Sequence, residues 1–431
     1  MELEKRQRRN SVFIIGMLAL VYFTGYITRK DYAVIQEMIR TGENLGLTDI
    51  SIATTALFFT YGVGQLISGY LGDKINPKWL IAAGLTLSAG MNLALPLLPQ
   101  PLTSSVAAMG IVWGVNGLAQ AMLWPPIVRI MATSVQKEFY AGGMIAVSVA
   151  SSLAEILLYL LSPSLVAVCG SWRWVFYIAA ALGAIVAVIW LCGMGRFEKN
   201  KISLPCIKTE EACEEKSIEE TPAPVSNAAD APSVGSLILR GGLLFAMLAI
   251  ICQGTLRDGV TEWMPSFLKQ TFSIPADKAV FISVALPVAG MVSFKVSSWL
   301  NALYVKNEVR FATILFGCAL CFCLGMGLLY NAGAAYSVVL GALITGCMHG
   351  INLMLICELP GRFANHPRLS FISGALNACT YIGSTIAMYG FARIADTFGW
   401  RTTVFFWAGI CALGLILSLL ANRFMRKTGK H

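Results

Sequence analysis

Long apolar segments recur along the whole chain and are separated by short polar stretches. A helix needs about twenty mostly apolar residues to cross the hydrocarbon core of a bilayer. Segments of this kind occur six times in the first half of the chain and six times in the second half. The pattern predicts twelve membrane-spanning helices at 11–39, 50–72, 78–98, 104–131, 139–161, 167–194, 238–268, 277–303, 309–330, 335–358, 369–393 and 400–423.

Composition favours the same conclusion. The 431 residues are 56% hydrophobic and 13% charged, whereas soluble domains are about a quarter charged. The net charge of +9 is better explained by membrane topology than by nucleic-acid binding, because surplus Lys and Arg collect in cytoplasmic loops. The N-terminus, the tail and the loops after spans 2, 4, 8 and 10 are basic, whereas the turns after spans 3 and 9 are not. Both termini are therefore expected in the cytoplasm, in a plasma or inner membrane.

A polar stretch at 196–236, rich in glutamate and proline, separates the two groups of six spans. Such a segment cannot bury enough apolar surface to fold alone, so it is predicted to be a flexible linker. The predicted domains are an N-terminal six-helix bundle at 1–195 and a C-terminal bundle with a cytoplasmic tail at 237–431. The predicted fold class is an all-α membrane protein built from two pseudo-symmetric bundles.

Two landmarks indicate that the bundles are duplicated copies. A Trp-Arg dipeptide begins the sixth predicted span at Trp172 and the twelfth at Trp400, a separation of 400 − 172 = 228. Arg29 in the first span and Arg257 in the seventh have the same separation, 257 − 29 = 228. Repeats of this kind place a substrate site near the midplane, between the halves.

Arg257 is predicted to lie at membrane depth, because the apolar run before it, 241–252, is too short to cross a bilayer. An intramembrane arginine persists only beside a cavity or a partner. The alternative to a binding role is an internal salt bridge with Asp258 or Glu262. Arg29 alone could lie at the outer surface, but the apolar helical pattern continues beyond it and its repeat mate is Arg257.

Two guanidinium groups across one cavity favour a particular ligand class. Each offers a planar fork of donors that matches phosphate or carboxylate oxygens, and neither loses its proton. A phosphate dianion would neutralise the pair, whereas a monocarboxylate would leave a buried positive charge. Phosphate esters or inorganic phosphate are therefore the favoured ligands.

Other polar residues within the predicted spans are candidates for the same site. Aromatic hydroxyls and an amide share helical faces near the arginines, where they can donate hydrogen bonds or simply pack: Tyr22, Tyr26, Tyr61 and Gln65. Glu155 and His349 are lone ionisable groups inside apolar runs. Each can pair with an arginine, carry a proton or hold a hydrogen-bonded packing role.

Two motifs are candidates for gating. Trp124, Pro125 and Pro126 are expected to break the fourth helix, because adjacent prolines remove two backbone donors. The loop after span 2 contains Gly69, Gly72, Asp73 and Lys74, where small residues permit close helix approach. No nucleotide-binding loop, metal-ligand set or nucleophile motif occurs, so no enzyme activity, cofactor or metal is expected.

These motifs resemble a known family. The Gly69–Lys74 loop and the layout of six spans, linker and six spans are similar to the major facilitator superfamily. More narrowly, the chain resembles its organophosphate:phosphate antiporters at Tyr26–Lys30, Trp124–Pro126, Arg257–Gly259 with Trp263 and Pro265, and Tyr381–Gly383. The resemblance implies the major facilitator fold, phosphoryl binding by Arg29 and Arg257, and pore-lining roles for Tyr22, Tyr26, Tyr61 and Tyr381.

The chain departs from the glycerol-phosphate exchangers at two positions. Gln65 stands where those proteins have a lysine, and Ser152 stands where they have a histidine, with Glu155 one turn further on. The leading hypothesis is an antiporter that exchanges a phosphorylated small molecule for phosphate. The alternatives are a proton-coupled organic-anion symporter, with Glu155 or His349 as proton carrier, and a phosphate-ester sensor. The expected partners are a small anionic substrate and the bilayer, without nucleic acid, and a monomer is expected.

Overall fold

The computed structural model describes residues 2–102, 105–202, 242–363 and 369–428, and almost all of them are helical. Eleven helices in these ranges are long and apolar enough to cross a membrane. The last spans 52 residues and is interrupted at Gly399, whose φ of 79° and ψ of 167° are not helical. Because about twenty residues suffice for one crossing, this helix accounts for two. The predicted fold class of twelve spans is confirmed.

The twelve crossing segments are numbered α1–α12 in chain order. In the first half they are α1 (Glu2–Glu43), α2 (Leu47–Lys74), α3 (Pro77–Ala94), α4 (Val106–Ala121 and Trp124–Ser134), α5 (Lys137–Cys169) and α6 (Arg173–Ile202). In the second half they are α7 (Leu243–Phe272), α8 (Ala276–Ser283, Ala285–Leu300 and the π-helical Asn301–Val305), α9 (Glu308–Leu328), α10 (Ala334–Asn352 and the π-helical Leu353–Glu358) and, before and after Gly399, α11 and α12 (Leu369–Thr428).

The linker predicted at 196–236 begins inside a helix. α6 continues to Ile202, so the first residues of that stretch extend the sixth span. Residues 203–241, with the rest of the linker and the start of the predicted seventh span, lie outside the described residues.

The two halves repeat a specific hydrogen bond. The indole nitrogen of Trp172, at the start of α6, donates to Glu43 at the end of α1 at 3.0 Å. The indole nitrogen of Trp400, at the start of α12, donates to Gln270 near the end of α7 at 2.8 Å. In each half the same residue type therefore ties the sixth span to the first, which supports the duplication inferred from the sequence.

The fourth span is broken immediately before its two prolines. The first helical piece ends at Ala121 and the second begins at Trp124, with proline in its first turn. Proline is tolerated there because the first-turn N–H groups have no partner within the helix. The predicted break at Trp124–Pro126 is therefore confirmed.

On the membrane side opposite the N-terminus, side chains join the two halves. Gly46, which has no side chain to cap a helix, precedes α2. Asp396, near the end of α11, supplies the missing acceptor: its carboxylate accepts from the backbone N–H of Thr48 at 2.8 Å and from the Thr48 hydroxyl at 2.6 Å. Lys269 of α7 lies 3.4 Å from Glu37 of α1. The structure is therefore closed on this side.

Replacing Asp396 with alanine should weaken this closure, because loss of a helix cap costs about 1 kcal/mol. The population open on that side should rise about fivefold. Spin labels at positions 99 and 331, in exposed turns of the two halves on this side, report the change as longer electron–electron distances. Asp277→Ala, at an exposed carboxylate on the same side, is the control. An unchanged distance distribution in Asp396→Ala would contradict the assigned closure.

Candidate functional site

A cavity of about 580 Å³ lies between the two halves, near the middle of the spans. Residues of α1, α2, α4 and α5 form one wall, and residues of α7, α8, α10 and α11 form the other. The polar and aromatic lining residues are Tyr22, Tyr26, Arg29, Lys30, Phe58, Trp124, Ser148, Ser151, Ser152, Glu155, Arg257, Asp258, Thr261, Phe294, His349, Asn352 and Tyr381.

The cavity extends toward the membrane side that carries the N-terminus. Met144 lies near the start of α5 and Cys357 near the end of α10, and both line the cavity. Helices alternate in direction, so these two ends lie on the N-terminal side. Since Asp396 and Lys269 join the halves on the opposite side, the conformation opens toward the N-terminal side only.

Arg29 is the only cavity-lining cation in the described ranges without a carboxylate partner. Its guanidinium lies 4.2 Å from the centroid of the Tyr26 ring and 5.1 Å from that of Tyr61. The Tyr61 ring in turn packs against Tyr381 of the other half, with centroids 4.7 Å apart. Aromatic faces stabilise a desolvated cation by about 2 kcal/mol. The Arg29 Nε has no hydrogen-bond partner within the described part of the chain, so its donors remain available for an anion.

A buried polar network fixes α1 at the residue before Arg29. The carbonyl of Thr28 accepts from the amide groups of Asn92 at 2.8 Å and Asn116 at 2.9 Å. The amide of Gln120 donates to the hydroxyls of Thr28 at 2.9 Å and Ser88 at 2.7 Å. None of these four polar residues of α3 and α4 was predicted from the sequence to support the site. The available signal was a pair of polar residues four apart in each of two apolar helices, since this spacing puts both on one face.

Arg257 lines the cavity and is also held by its neighbour. Its Nε and Nη2 donate to the two carboxylate oxygens of Asp258 at 2.9 and 2.7 Å. The hydroxyl of Ser384 donates to the same carboxylate at 2.5 Å. Of the two salt-bridge partners considered for Arg257, Asp258 is the one observed. The binding role and the salt bridge were alternatives in the sequence, but the geometry allows both.

Lys30 connects the two halves at membrane depth. Its Nζ lies 2.5 Å from Glu262 on α7 and 3.6 Å from Glu155 on α5. The backbone carbonyl of Glu262 also accepts from the amide of Gln36 at 2.8 Å. Glu262 is therefore the ion-pair partner of Lys30 and not of Arg257. The sequence contained the signal for Lys30, because a second cation follows Arg29 directly within the same intramembrane helix.

Asp31, the next residue, is buried but does not line the cavity. One carboxylate oxygen accepts from the backbone N–H of Tyr32 at 2.8 Å. The other has no partner among the residues that the structure describes. His349 lines the cavity from α10, where its Nδ1 lies 3.0 Å from the carbonyl of Thr345. The described ranges contain no group of His, Cys, Asp and Glu placed to hold a metal ion.

The remaining candidates either line the cavity, lie away from it, or have side chains outside the described part of the structure. Tyr22 packs against Tyr26 and Trp124, with ring centroids 5.0 Å apart in both cases, and all three line the cavity. Neither Tyr61, which was expected to line the pore, nor Gln65 lines it. The residues whose side chains are outside the described part of the structure are Gly69, Gly72, Asp73 and Lys74, although their backbones belong to the last turns of α2. Pro125 and Pro126 lie in α4 beside Trp124 without lining the cavity.

Residues 11–388 match the sequence profile of the Major Facilitator Superfamily. The chain belongs to this superfamily: it is a multi-pass membrane transporter and not an enzyme. The match, the twelve spans and the cavity between two six-helix halves agree with one another.

Curated relatives extend the likeness over nearly the whole chain. A probable hexose phosphate transport protein of Chlamydia pneumoniae is 22% identical over 96% of this chain and 92% of that protein. The glycerol-3-phosphate transporter of Bacillus subtilis (strain 168) is 24% identical over 97% of this chain and 94% of that protein. Both names are consistent with the resemblance to organophosphate:phosphate antiporters in the motifs.

A solved structure shares the fold. A bacterial homologue of the human lysosomal transporter Spinster, in an inward-facing and occupied conformation, superposes with a TM-score of 0.74 at 12% identity. The match covers 97% of this chain and 98% of that one.

Replacing Lys30 with methionine should lower the free energy of unfolding by about 3 kcal/mol, because it leaves the Glu262 carboxylate buried without its closest counter-charge. Adding Glu262→Met should recover most of that loss, since it removes the fully buried carboxylate, whereas Glu155 is 16% exposed and faces the cavity. Thermal unfolding of the detergent-purified protein, followed by tryptophan fluorescence, measures both effects. Lys278→Met, at an exposed lysine, is the control. Additive losses in the double variant would show that the pair is not coupled.

Proposed function

We propose that the chain is a secondary transporter that exchanges a small phosphorylated organic anion for inorganic phosphate. The observation that carries the proposal is the position of Arg29. Its guanidinium is buried in a cavity between the two halves and has no carboxylate partner among the described residues. Its planar set of N–H donors can bind two oxygens of a phosphoryl group at once, in a bidentate arrangement. The relatives named for hexose phosphate and glycerol-3-phosphate transport support the same substrate class.

Arg257 is the second arginine of the proposed binding site. Because Asp258 accepts from only two of its five N–H donors, an incoming phosphoryl group would bind the remaining donors of Nη1 and Nη2. Tyr22, Tyr26 and Tyr381 line the same cavity, and a tyrosine hydroxyl can donate to a phosphoryl oxygen. Tyr61 has a positioning role, since its ring packs against both Arg29 and Tyr381.

The two-sided arrangement of contacts supports transport by alternating access. The cavity is open toward the N-terminal side, which the distribution of basic loops predicts to be the cytoplasm. In the opposite state, the contacts of Asp396 with Thr48 and of Lys269 with Glu37 would separate while the halves close on the other side. Rocking of two repeats around a fixed midplane site is a general solution for such folds.

Arg29→Lys should abolish exchange of phosphate esters for phosphate, because an ammonium keeps the charge but lacks the planar fork. The measurement is counterflow of labelled phosphate against glucose 6-phosphate or glycerol 3-phosphate in proteoliposomes. Arg393→Lys, at an exposed arginine of α11, is the matched control and should retain full exchange. Full exchange activity of Arg29→Lys would contradict the role of Arg29 in binding. Binding of an ester by the unmodified protein without measurable flux would favour the sensor alternative.

The second candidate, proton-coupled symport, is favoured by the position of Glu155, whose carboxylate lines the cavity 3.6 Å from Lys30. Under this alternative, a pH gradient drives substrate uptake without any counter-substrate, and Glu155→Gln removes the response to the gradient. Under antiport, uptake requires phosphate or an ester inside the vesicle at any gradient. Uptake into empty vesicles with and without a gradient decides between the two.

A further inference from the structure

The charged groups of the cavity compensate one another. Three cations and three carboxylates lie in the cavity wall or in direct contact with it: Arg29, Lys30 and Arg257, with Glu155, Asp258 and Glu262. In their ordinary ionised forms these charges sum to zero. A phosphate monoester dianion would then bring two negative charges without compensation into a largely desolvated space, which is costly. A substrate that also carries a positive charge reduces this excess.

Only one of the three carboxylates makes no hydrogen bond within the described residues. Asp258 accepts two hydrogen bonds from Arg257 and one from Ser384. Glu262 lies 2.5 Å from Lys30. Glu155 lies 3.6 Å from Lys30, which exceeds hydrogen-bond length.

The carboxylate of Glu155 faces the cavity. The side chain of Glu155 is 16% exposed, it lines the cavity, and within the described residues it makes no hydrogen bond. Although its charge lies near Lys30, its oxygens therefore have room for a hydrogen-bond donor in the same cavity as the donors of Arg29.

The surroundings of Glu155 suit an ammonium group. Ser152 and Ser148 lie three and seven residues before it, on the same face of α5, and both line the cavity. Their hydroxyl hydrogens are directed to backbone carbonyls of their own helix, with Ser148 donating to Met144 at 3.0 Å and Ser152 to Ser148 at 3.4 Å. Their oxygens therefore remain as acceptors. An ammonium group has three donors and no acceptor, so a carboxylate with the hydroxyl oxygen of Ser152 one helical turn away matches it.

We propose that Glu155 makes this site selective for phosphate esters that also carry an ammonium group, such as amino-sugar phosphates or aminoalkyl phosphates. The phosphoryl group binds Arg29 and the ammonium group binds Glu155. The volume of about 580 Å³ lies within the range of small-ligand pockets. This inference rests on the proposed function, since it assigns a substrate class to the same site.

The test compares pairs of esters that differ in the amino group. Full-length protein in phosphate-loaded proteoliposomes is offered glucosamine 6-phosphate against glucose 6-phosphate, and phosphoethanolamine against glycerol 3-phosphate. The unmodified protein should favour the amino ester of each pair at least about tenfold in kcat/KM, which is the effect of one buried hydrogen bond between charged groups. Glu155→Gln should bring the ratio close to one, mainly by reducing transport of the amino ester.

Two controls keep the outcome specific. Glu138→Gln changes an exposed carboxylate at the start of the same helix and should retain the preference. Thermal stabilisation of detergent-purified protein by each ester measures binding without transport, since a ligand that binds only the folded state raises Tm. It therefore tests Glu155→Gln even if that variant is poorly reconstituted.

Each outcome has a defined meaning. Equal transport of amino and plain esters by the unmodified protein would overturn this inference and leave the proposed exchange intact. Exchange of none of the four esters would instead remove the proposed function. A preference that persists in Glu155→Gln would overturn the role of Glu155. Uptake of plain esters driven by a pH gradient and lost in Glu155→Gln would identify Glu155 as a proton carrier and overturn the ammonium assignment.

Discussion

Charge compensation at membrane depth is the constraint on which the rest of this structure depends. An isolated charge in a low-dielectric interior is unstable, so an intramembrane cation needs a carboxylate, an aromatic face or a ligand. Lys30 meets this need with Glu262 and Arg257 meets it with Asp258. Arg29 lies on the faces of Tyr26 and Tyr61 instead. The aromatic rings stabilise the cation without occupying its donors, which leaves Arg29 competent to bind an anion.

The same need for charge compensation links the binding site to the contacts that hold the two halves together. Lys30 belongs to α1 and Glu262 to α7, so their ion pair exists only while the two bundles hold these helices together. Glu155 approaches the same ammonium from α5. A substrate that interacts with either partner therefore changes an attraction between bundles as well as its own binding. Under the proposed exchange, this shared charge would couple binding to bundle movement without a separate relay.

The fold could be predicted from the sequence because spanning helices follow from apolar length alone. The twelve spans, the break before Pro125 and the shared separation of Arg29 and Arg257 were all visible there. The side-chain pairings were not. Adjacent carboxylates along α7, Asp258 and Glu262, have different partners, and which cation each one takes depends on how α1 packs beside α7. Such a contact between residues more than two hundred positions apart leaves no periodic signal in the sequence.

The amide network around Thr28 shows how precise placement of the site depends on structure outside it. A guanidinium that binds phosphoryl oxygens through two parallel bonds tolerates little rotation of its helix. Four buried side chains from α3 and α4 bind the backbone and hydroxyl of the residue before Arg29. These bonds, together with those that Ser88 makes to Asn116 and accepts from Gln120, restrict the rotation of α1 within its own half. Arg29 and Glu155 belong to the first half and Arg257 to the second. A substrate that contacts Arg257 as well as Arg29 would therefore bridge the halves, whereas one that reaches only Arg29 and Glu155 would contact a single half.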